Sequence, residues 1–261
     1  MSPLLSPSLA ALLDRVADRQ RADFGHAASE AKADGSLITA CDRWSDATIV
    51  EGLGELYPGE GVLSEEGDQR VPVSEGFWVV DPLDGTTNFA AGIPYWAISL
   101  ARFEQGVPVL AILDVPPLRQ RIVAIRGQGA WRNERWLQPP AHHHNPAGCA
   151  SLCSRSIGVL QKLPDRRFPG KIRLLGVASL NLVSVAMGQT VAALEATPKI
   201  WDLAAAWLVL QELQCPLRWL SRDPGHLVPG EDLGTTNFPV LVADRPTTLE
   251  RFLPWGEALL A

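Results

Sequence analysis

Apolar residues recur along the chain with two periods, and the change from one to the other divides it. Leu9, Leu12, Leu13 and Val16 are spaced as one face of a helix, which predicts an amphipathic helix over residues 7–24. Asp34-Gly35 marks a turn, residues 37–40 a short extended piece, and residues 43–56 a second helix that Asp42 is placed to cap and Tyr57-Pro58-Gly59 to end. Val62-Leu63 is a brief apolar run that stops at Ser64-Glu65-Glu66-Gly67, and residues 68–76 read as a polar loop. Phe77-Trp78-Val79-Val80 is short, apolar and rich in strand formers, the mark of a buried strand, and it runs straight into Asp81-Pro82-Leu83-Asp84-Gly85-Thr86-Thr87-Asn88-Phe89. From Trp96 the runs at 96–103, 107–115 and 121–125, separated by Gln105-Gly106 and Pro116-Pro117, predict an antiparallel meander, with a further hairpin around Asn133-Glu134.

The remainder alternates. Strands are expected at 150–153, 172–175, 191–194, 217–220 and 240–243, and helices at 156–163, 178–187, 203–213 and 247–260, the last interrupted by Pro254. The Pro- and His-rich stretch around His142-His143-His144 lies between the two patterns. It reads as a loop and as a boundary between halves 1–140 and 141–261 of one compact catalytic unit. The expected class is α/β (α+β): an antiparallel meander sheet followed by a smaller α/β half.

Composition changes this picture little. A chain of 261 residues with 46% hydrophobic and 20% charged residues has ample core. The net charge of −6 gives no reason to expect nucleic acid or an anionic membrane as a partner. No signal peptide or membrane span is evident, so a cytoplasmic protein is expected. Of Cys41, Cys149, Cys153 and Cys215 only Cys149 and Cys153 are close. No second Cys/His pair completes a zinc site, so all four are expected as reduced thiols.

The candidate chemistry is carboxylate. Asp42, Glu65, Asp81, Asp84 and Asp202 each flank an apolar run. Each has a local reading as well: Asp42 and Asp202 as helix caps, Glu65 as a solvated loop acid, Asp81 and Asp84 as a strand end. Taken together they offer the hard oxygen donors that Mg²⁺ takes, beside a Gly85-Thr86-Thr87 turn whose backbone N–H groups can face an anion. Spacing alone does not make them converge.

The strings Lys32-x-Asp34-Gly35-Ser36-x-x-Thr39-x-x-Asp42, Glu65-Glu66, Asp81 to Phe89 and Trp201-Asp202-Leu203-Ala204-Ala205-Ala206 occur in that order. Together they resemble the inositol monophosphatase family of Mg²⁺-dependent, lithium-sensitive phosphatases, over about residues 32–212. The resemblance implies a layered α-β-α-β-α fold, commonly homodimeric, and two or three Mg²⁺ ions. It implies that Glu65, Asp81 and the Leu83 carbonyl hold one ion, and that Asp81, Asp84 and Asp202 hold a second. Thr86, hydrogen-bonded to Asp42, would orient and deprotonate the attacking water together with Glu65. Backbone groups of Gly85, Thr86 and Thr87 would hold phosphate, Ala178 would lie along the substrate, and Glu195 would meet substrate hydroxyls.

The implied activity is hydrolysis of a phosphomonoester of a small polyol or sugar, with inositol phosphate first. Fructose 1,6-bisphosphate, 3′-phosphoadenosine 5′-phosphate and histidinol phosphate suit the same centre. The chain departs from the family pattern at Glu212-Leu213-Gln214-Cys215, where a Gly-Gly turn is common, and at Ala193 to Lys199, which lacks a Gly-rich character. Glu195 is therefore balanced between a substrate contact and an exposed strand-end acid. Two rivals remain open. One is an aspartyl-phosphate mechanism like that of haloacid dehalogenase phosphatases, for which the Asp-x-x-Asp spacing is one residue too long. The other is a non-catalytic descendant that keeps the fold.

Overall fold

The computed structural model describes residues 5–26, 29–32, 37–140 and 148–260. The expected Asp34-Gly35 turn and the three histidines lie outside them.

Helix α1 (Pro7–Asp23) starts where Ser6 Oγ accepts from Leu9 N, with Pro7 at its first turn, and buries Leu9, Leu12, Leu13 and Val16. A small ribbon of β1 (Ser29–Ala31) and β2 (Leu37–Thr39) leads into α2 (Ala40–Leu56). The cap of α2 is Thr39, not Asp42. The helix begins three residues earlier than the apolar pattern suggests, because Asp42 sits one turn in and reaches back to the Thr39 N–H in a capping box.

The large sheet has seven strands in sequence order. They are β3 (Gly61–Ser64), β4 (Gly76–Asp84), β5 (Ala97–Glu104), β6 (Val107–Val115), β7 (Gln120–Ile125), β8 (Gly129–Arg132) and β9 (Arg135–Trp136). All neighbours are antiparallel except β3 and β4, which are parallel. Asn133 and Glu134 take left-handed backbone conformations to turn β8 into β9.

The period of two along β4 and β5 sorts side chains to two cores. Trp78, Val80, Ile98 and Leu100 pack with α1 and α2. Phe77, Val79, Ala101 and Phe103 face a second helical layer on the other side.

That layer is α5 (Ala178–Ala186) and α6 (Ile200–Glu212), and beyond it lies a five-stranded sheet. Its strands are β10 (Cys149–Leu152), β11 (Lys171–Arg173), β12 (Ala192–Glu195), β13 (Leu217–Trp219) and β14 (Val240–Ala243), in the order β11-β10-β12-β14-β13. Strands β10, β11 and β12 run parallel, and β14 runs antiparallel to both its neighbours. A last layer, α4 (Val159–Lys162) and α7 (Pro246–Leu260), covers the outer face through Phe252 and Trp255. Helix α7 continues through Pro254 rather than stopping there.

The layers therefore run α-β-α-β-α. One continuous apolar core joins β4, β5 and β6 of the large sheet to β12 and β14 of the small one through α5 and α6. Helix α3 (Thr86–Ala90), a single short helix after β4, packs Phe89 against Cys41, Leu83 and Trp96.

Candidate active site

Backbone register brings the acids together. Ser64 pairs with Val80 in the parallel β3–β4 ladder, and Glu65 N continues it by donating to Val80 O at 3.1 Å, so Glu65 follows alongside Asp81. On the other side of β4, Ser99 is the register partner of Asp81. Ser99 Oγ donates to Trp201 O at 3.2 Å, which fixes the start of α6 and Asp202 against the same point. Carboxylate oxygens of Glu65, Asp81 and Asp202 lie within 4.8 Å of one another.

Strand β4 does not stop at Asp81 as the apolar run suggests. It passes through a bulge, where the β4–β5 register shifts between Asp81 and Asp84, and both aspartates are buried. Within the bulge, Leu83 N donates to Asp81 Oδ1 at 2.9 Å. Asp84 turns toward α5 and accepts from Ser179 N at 2.7 Å and Ala178 N at 3.3 Å, two of that helix's unpaired first-turn donors. Asp84 is thus outside the tight three-acid group, though its charge acts on Asp81 and Asp202.

Asp202 is not the cap residue its sequence position suggests. It stands one turn inside α6 and accepts from Lys199 N at 2.7 Å. Asp42 has the same placement in α2. Its Oδ2 accepts from Thr39 N at 2.8 Å and from the Thr39 hydroxyl, and its Oδ1 accepts from Thr86 Oγ1 at 2.7 Å. The Thr86 hydroxyl also lies 3.1 Å from the Leu83 carbonyl.

Gly85 holds φ at 104°, and a Cβ there would come 2.8 Å from Val177 Cγ2, so the turn demands glycine. Phe89 N donates to Gly85 O as the first intrahelical bond of α3, which leaves the N–H groups of Thr86 and Thr87 ahead of it.

Burial and mutual repulsion dominate the electrostatics. Burial first, then the charges of Glu65, Asp84 and Asp202, push Asp81 well above the ordinary aspartate range. Burial followed by Asp84 and Glu65 does the same to Asp202. Burial also raises Glu65, against the pull of Lys32, whose ammonium lies 3.0 Å from it and also pairs with Glu66. Burial takes Glu66 up to about 7. Neither glutamate is the solvated loop acid of the local reading.

Three crowded carboxylates, with no nitrogen or sulfur donor in the group, are the donor set of a hard divalent cation. A bound cation would relieve the repulsion that raises these groups. The residues present fit Mg²⁺.

A cavity of about 340 Å³ opens beside the acids, lined by Asp84, Asp202, Ala178, Asn181, Glu195 and Arg155 among others. Glu195 is 2% exposed, which removes its reading as an exposed acid. Asn181 Nδ2 donates to its Oε1 at 2.8 Å, and burial, with the charge of Asp84 adding, pushes it up to about 8. Cys153 Sγ, on the same wall, accepts from Ala196 N at 3.3 Å, and all four cysteines are unpaired.

Sequence reasoning had no role for Lys32, Thr39 or Asn181. Lys32 and Thr39 stand in the upstream string and were readable as its fixed positions. Asn181 carried only the signal of a polar residue in an apolar helix.

Layering and site together define an α-β-α-β-α protein with a carboxylate cluster suited to a hard cation beside a glycine-threonine turn. The chain belongs to the inositol monophosphatase family, whose sequence profile matches residues 7–217. A histidinol-phosphatase of Mycobacterium tuberculosis is 33% identical over 216 residues, covering 77% of this chain and 82% of that protein. A putative Nus factor SuhB of Neisseria meningitidis serogroup B is 31% identical over 235 residues, covering 86% of each. The crystal structure of an IMPase/NADP phosphatase complexed with Mg²⁺ and phosphate shares the fold, with a TM-score of 0.78 at 24% identity, over 94% of this chain and 93% of that one.

Proposed function

We propose that this protein is a Mg²⁺-dependent phosphomonoester hydrolase of a small phosphorylated polyol or sugar, inositol phosphate first. The observation that carries this is the meeting of Glu65, Asp81 and Asp202 beside the Thr86–Asp42 pair. Glu65, Asp81, the Leu83 carbonyl, Asp84 and Asp202 would hold two or three Mg²⁺ ions. When bound, Mg²⁺ supplies Lewis-acid stabilisation of charge on the phosphoryl group and the leaving oxygen.

The chain's own groups do the positioning. Thr86 gives its proton to Asp42, so its oxygen lone pairs are free to accept from the attacking water and aim it. Glu65 accepts the proton the water sheds. Thr86 and Thr87 N–H groups, with Gly85 shaping the turn, receive phosphate oxygens. Ala178 and Glu195 border the leaving group across the cavity.

Histidinol phosphate is the second reading on substrate, favoured by the relative of that name and by the buried Glu195 carboxyl, which suits an ammonium as well as a hydroxyl. The name Nus factor belongs to another relative. A non-catalytic role predicts no turnover of any ester.

No helix among the described residues is long and apolar enough to cross a membrane. A homodimeric state and lithium sensitivity belong to this proposal through the family resemblance, and cytoplasmic residence and a division into halves 1–140 and 141–261 through the reading of the sequence.

A panel of inositol 1-phosphate, histidinol phosphate, fructose 1,6-bisphosphate and 3′-phosphoadenosine 5′-phosphate, assayed with Mg²⁺, tests it. The highest kcat/KM should fall on inositol 1-phosphate. No hydrolysis of any of them, where a control phosphatase works, would refute it.

A further inference from the structure

We infer that Gln20, on α1 and remote in sequence from every acid of the site, is a positioning residue for the Asp81–Asp84 bulge and sets its cation affinity. This rests on the proposed reading of the acids as a Mg²⁺ site.

Gln20 is fully buried on a helix whose other buried residues are all apolar. A buried amide is costly unless satisfied. Here both of its ends are used. Gln20 Nε2 donates to the Pro82 carbonyl at 2.7 Å and to Ser45 Oγ at 3.2 Å, and Trp96 Nε1 donates to Gln20 Oε1 at 3.0 Å. An indole N–H can only donate and a carbonyl can only accept, so the amide has one permitted orientation.

Pro82 is the residue that needs such a partner. It lies in the bulge where β4 and β5 lose register, so its carbonyl falls outside the paired positions, and it has no N–H of its own. Elsewhere in the bulge, Leu83 N is satisfied by Asp81 Oδ1, and the Asp84 carboxylate by the first N–H groups of α5. Pro82 O is held by a buried side chain from another segment, at a sequence separation of 62.

Ser45 stands on α2 one turn after Asp42, and Trp96 packs against Leu83 and Phe89 in a small core around the turn. One amide therefore ties together the helix that carries Asp42, the bulge that carries Asp81 and Asp84, and the aromatic floor beneath them. Without it, the Pro82 carbonyl would seek another donor, and the peptide would rotate between the two aspartates. A change in that spacing would act on cation binding first, since an ion with near-octahedral demands tolerates little displacement.

The test measures Mg²⁺ binding by calorimetry on metal-stripped protein, alongside Tm. Gln20→Met keeps the side-chain length and removes the amide. Trp96→Phe keeps a ring and removes the N–H that orients it. Val123→Ala, on β7 and away from the site, serves as a destabilised control. Gln20→Met should weaken Mg²⁺ binding about tenfold and Trp96→Phe should weaken it less, with KM for the ester at saturating Mg²⁺ unchanged. Val123→Ala should lower Tm and leave Mg²⁺ binding alone. If Gln20→Met does not fold, Trp96→Phe decides. Wild-type binding in the variants, or equal weakening in Val123→Ala, overturns the inference. Failure of wild type to bind Mg²⁺ refutes the reading of the site instead.

Discussion

The starts of α2 and α6 repeat one local device with different outcomes. In each, an aspartate one turn into the helix reaches back to a backbone N–H at the cap position: Asp42 to Thr39, Asp202 to Lys199. That bond satisfies a donor the helix leaves open and places negative charge at the positive end of the helix dipole. At α2 the remaining oxygen of Asp42 takes the Thr86 hydroxyl, and the group becomes the anchor of that side chain. At α6 the carboxylate meets Glu65 and Asp81 and is driven well above its ordinary range. A capping residue and a site residue are therefore not alternatives. The helix start fixes one oxygen and thereby aims the other, and what lies across from it decides the chemistry.

The largest test of this contrast is Asp202→Asn. The amide oxygen can still accept from Lys199 N, so α6 keeps its start. Hydrolysis with Mg²⁺ should fall by more than about a hundredfold, beyond the range seen when only the partners of metal ligands are removed. The same change removes one of several repelling charges, so Tm in EDTA should rise. Kinetics and calorimetry on one preparation would show the opposite signs. A drop in both would mean that Asp202 serves folding alone.

Asp42→Asn should cost less, roughly tenfold to a hundredfold in kcat. An asparagine keeps one acceptor oxygen but cannot serve Thr39 and Thr86 in the same way, so Thr86 loses its fixed orientation. Mg²⁺ affinity should stay near wild type, which separates this end of the site from the other. A matching loss of affinity would erase the distinction between the two helices.

Glu195, on β12 across the cavity from Asp202, supplies a stability test. Its carboxyl titrates at about 8 in the folded protein, raised by burial, against about 4.3 in an unfolded chain. A folded pKa above the unfolded value means that ionisation opposes folding. Its contribution to stability is present below about pH 4 and is lost as pH rises toward 8. Denaturation without divalent ions should therefore show wild type weakening over that interval more steeply than Glu195→Gln, which keeps an oxygen for Asn181.

Thr39→Ala should be the smallest effect. It removes the hydroxyl that bonds Asp42 and the Cys41 and Asp42 N–H groups, at about 1 kcal/mol of stability. The Thr39 N–H still holds Asp42, so kcat should change severalfold at most.

The contrast also explains what could be read in advance. The apolar run of β4 and its acidic turn, the meander after Trp96 and the helical spacing of Leu9, Leu12, Leu13 and Val16 are local patterns, and each produced the element it predicts. The starts of α2 and α6 were misjudged because Asp42 and Asp202 carry the signature of a cap while standing a turn inside. Thr39, three residues before Asp42, carries a local capping-box signal that was passed over, whereas Lys199 offers no capping oxygen to read. The continuation of β4 past Asp81 was missed because proline ordinarily ends a strand, and here a bulge accommodates it. Contacts such as Gln20 with Pro82, or Asn181 with Glu195, join segments that no periodicity relates. The meeting of the acids itself was legible only through the order of the family's strings. Register across β3, β4 and β5 supplies its physical cause.

The most direct measurement is Mg²⁺ titrated into metal-stripped protein, with phosphate release from inositol 1-phosphate followed at each step for wild type and Asp202→Asn. Wild type should be inactive in EDTA, gain activity saturably as Mg²⁺ binds, and lose both binding and activity on the substitution. Hydrolysis that persists in EDTA, or Mg²⁺ binding and turnover that survive in Asp202→Asn, would contradict the assignment of Glu65, Asp81 and Asp202 as the cation site of a phosphatase.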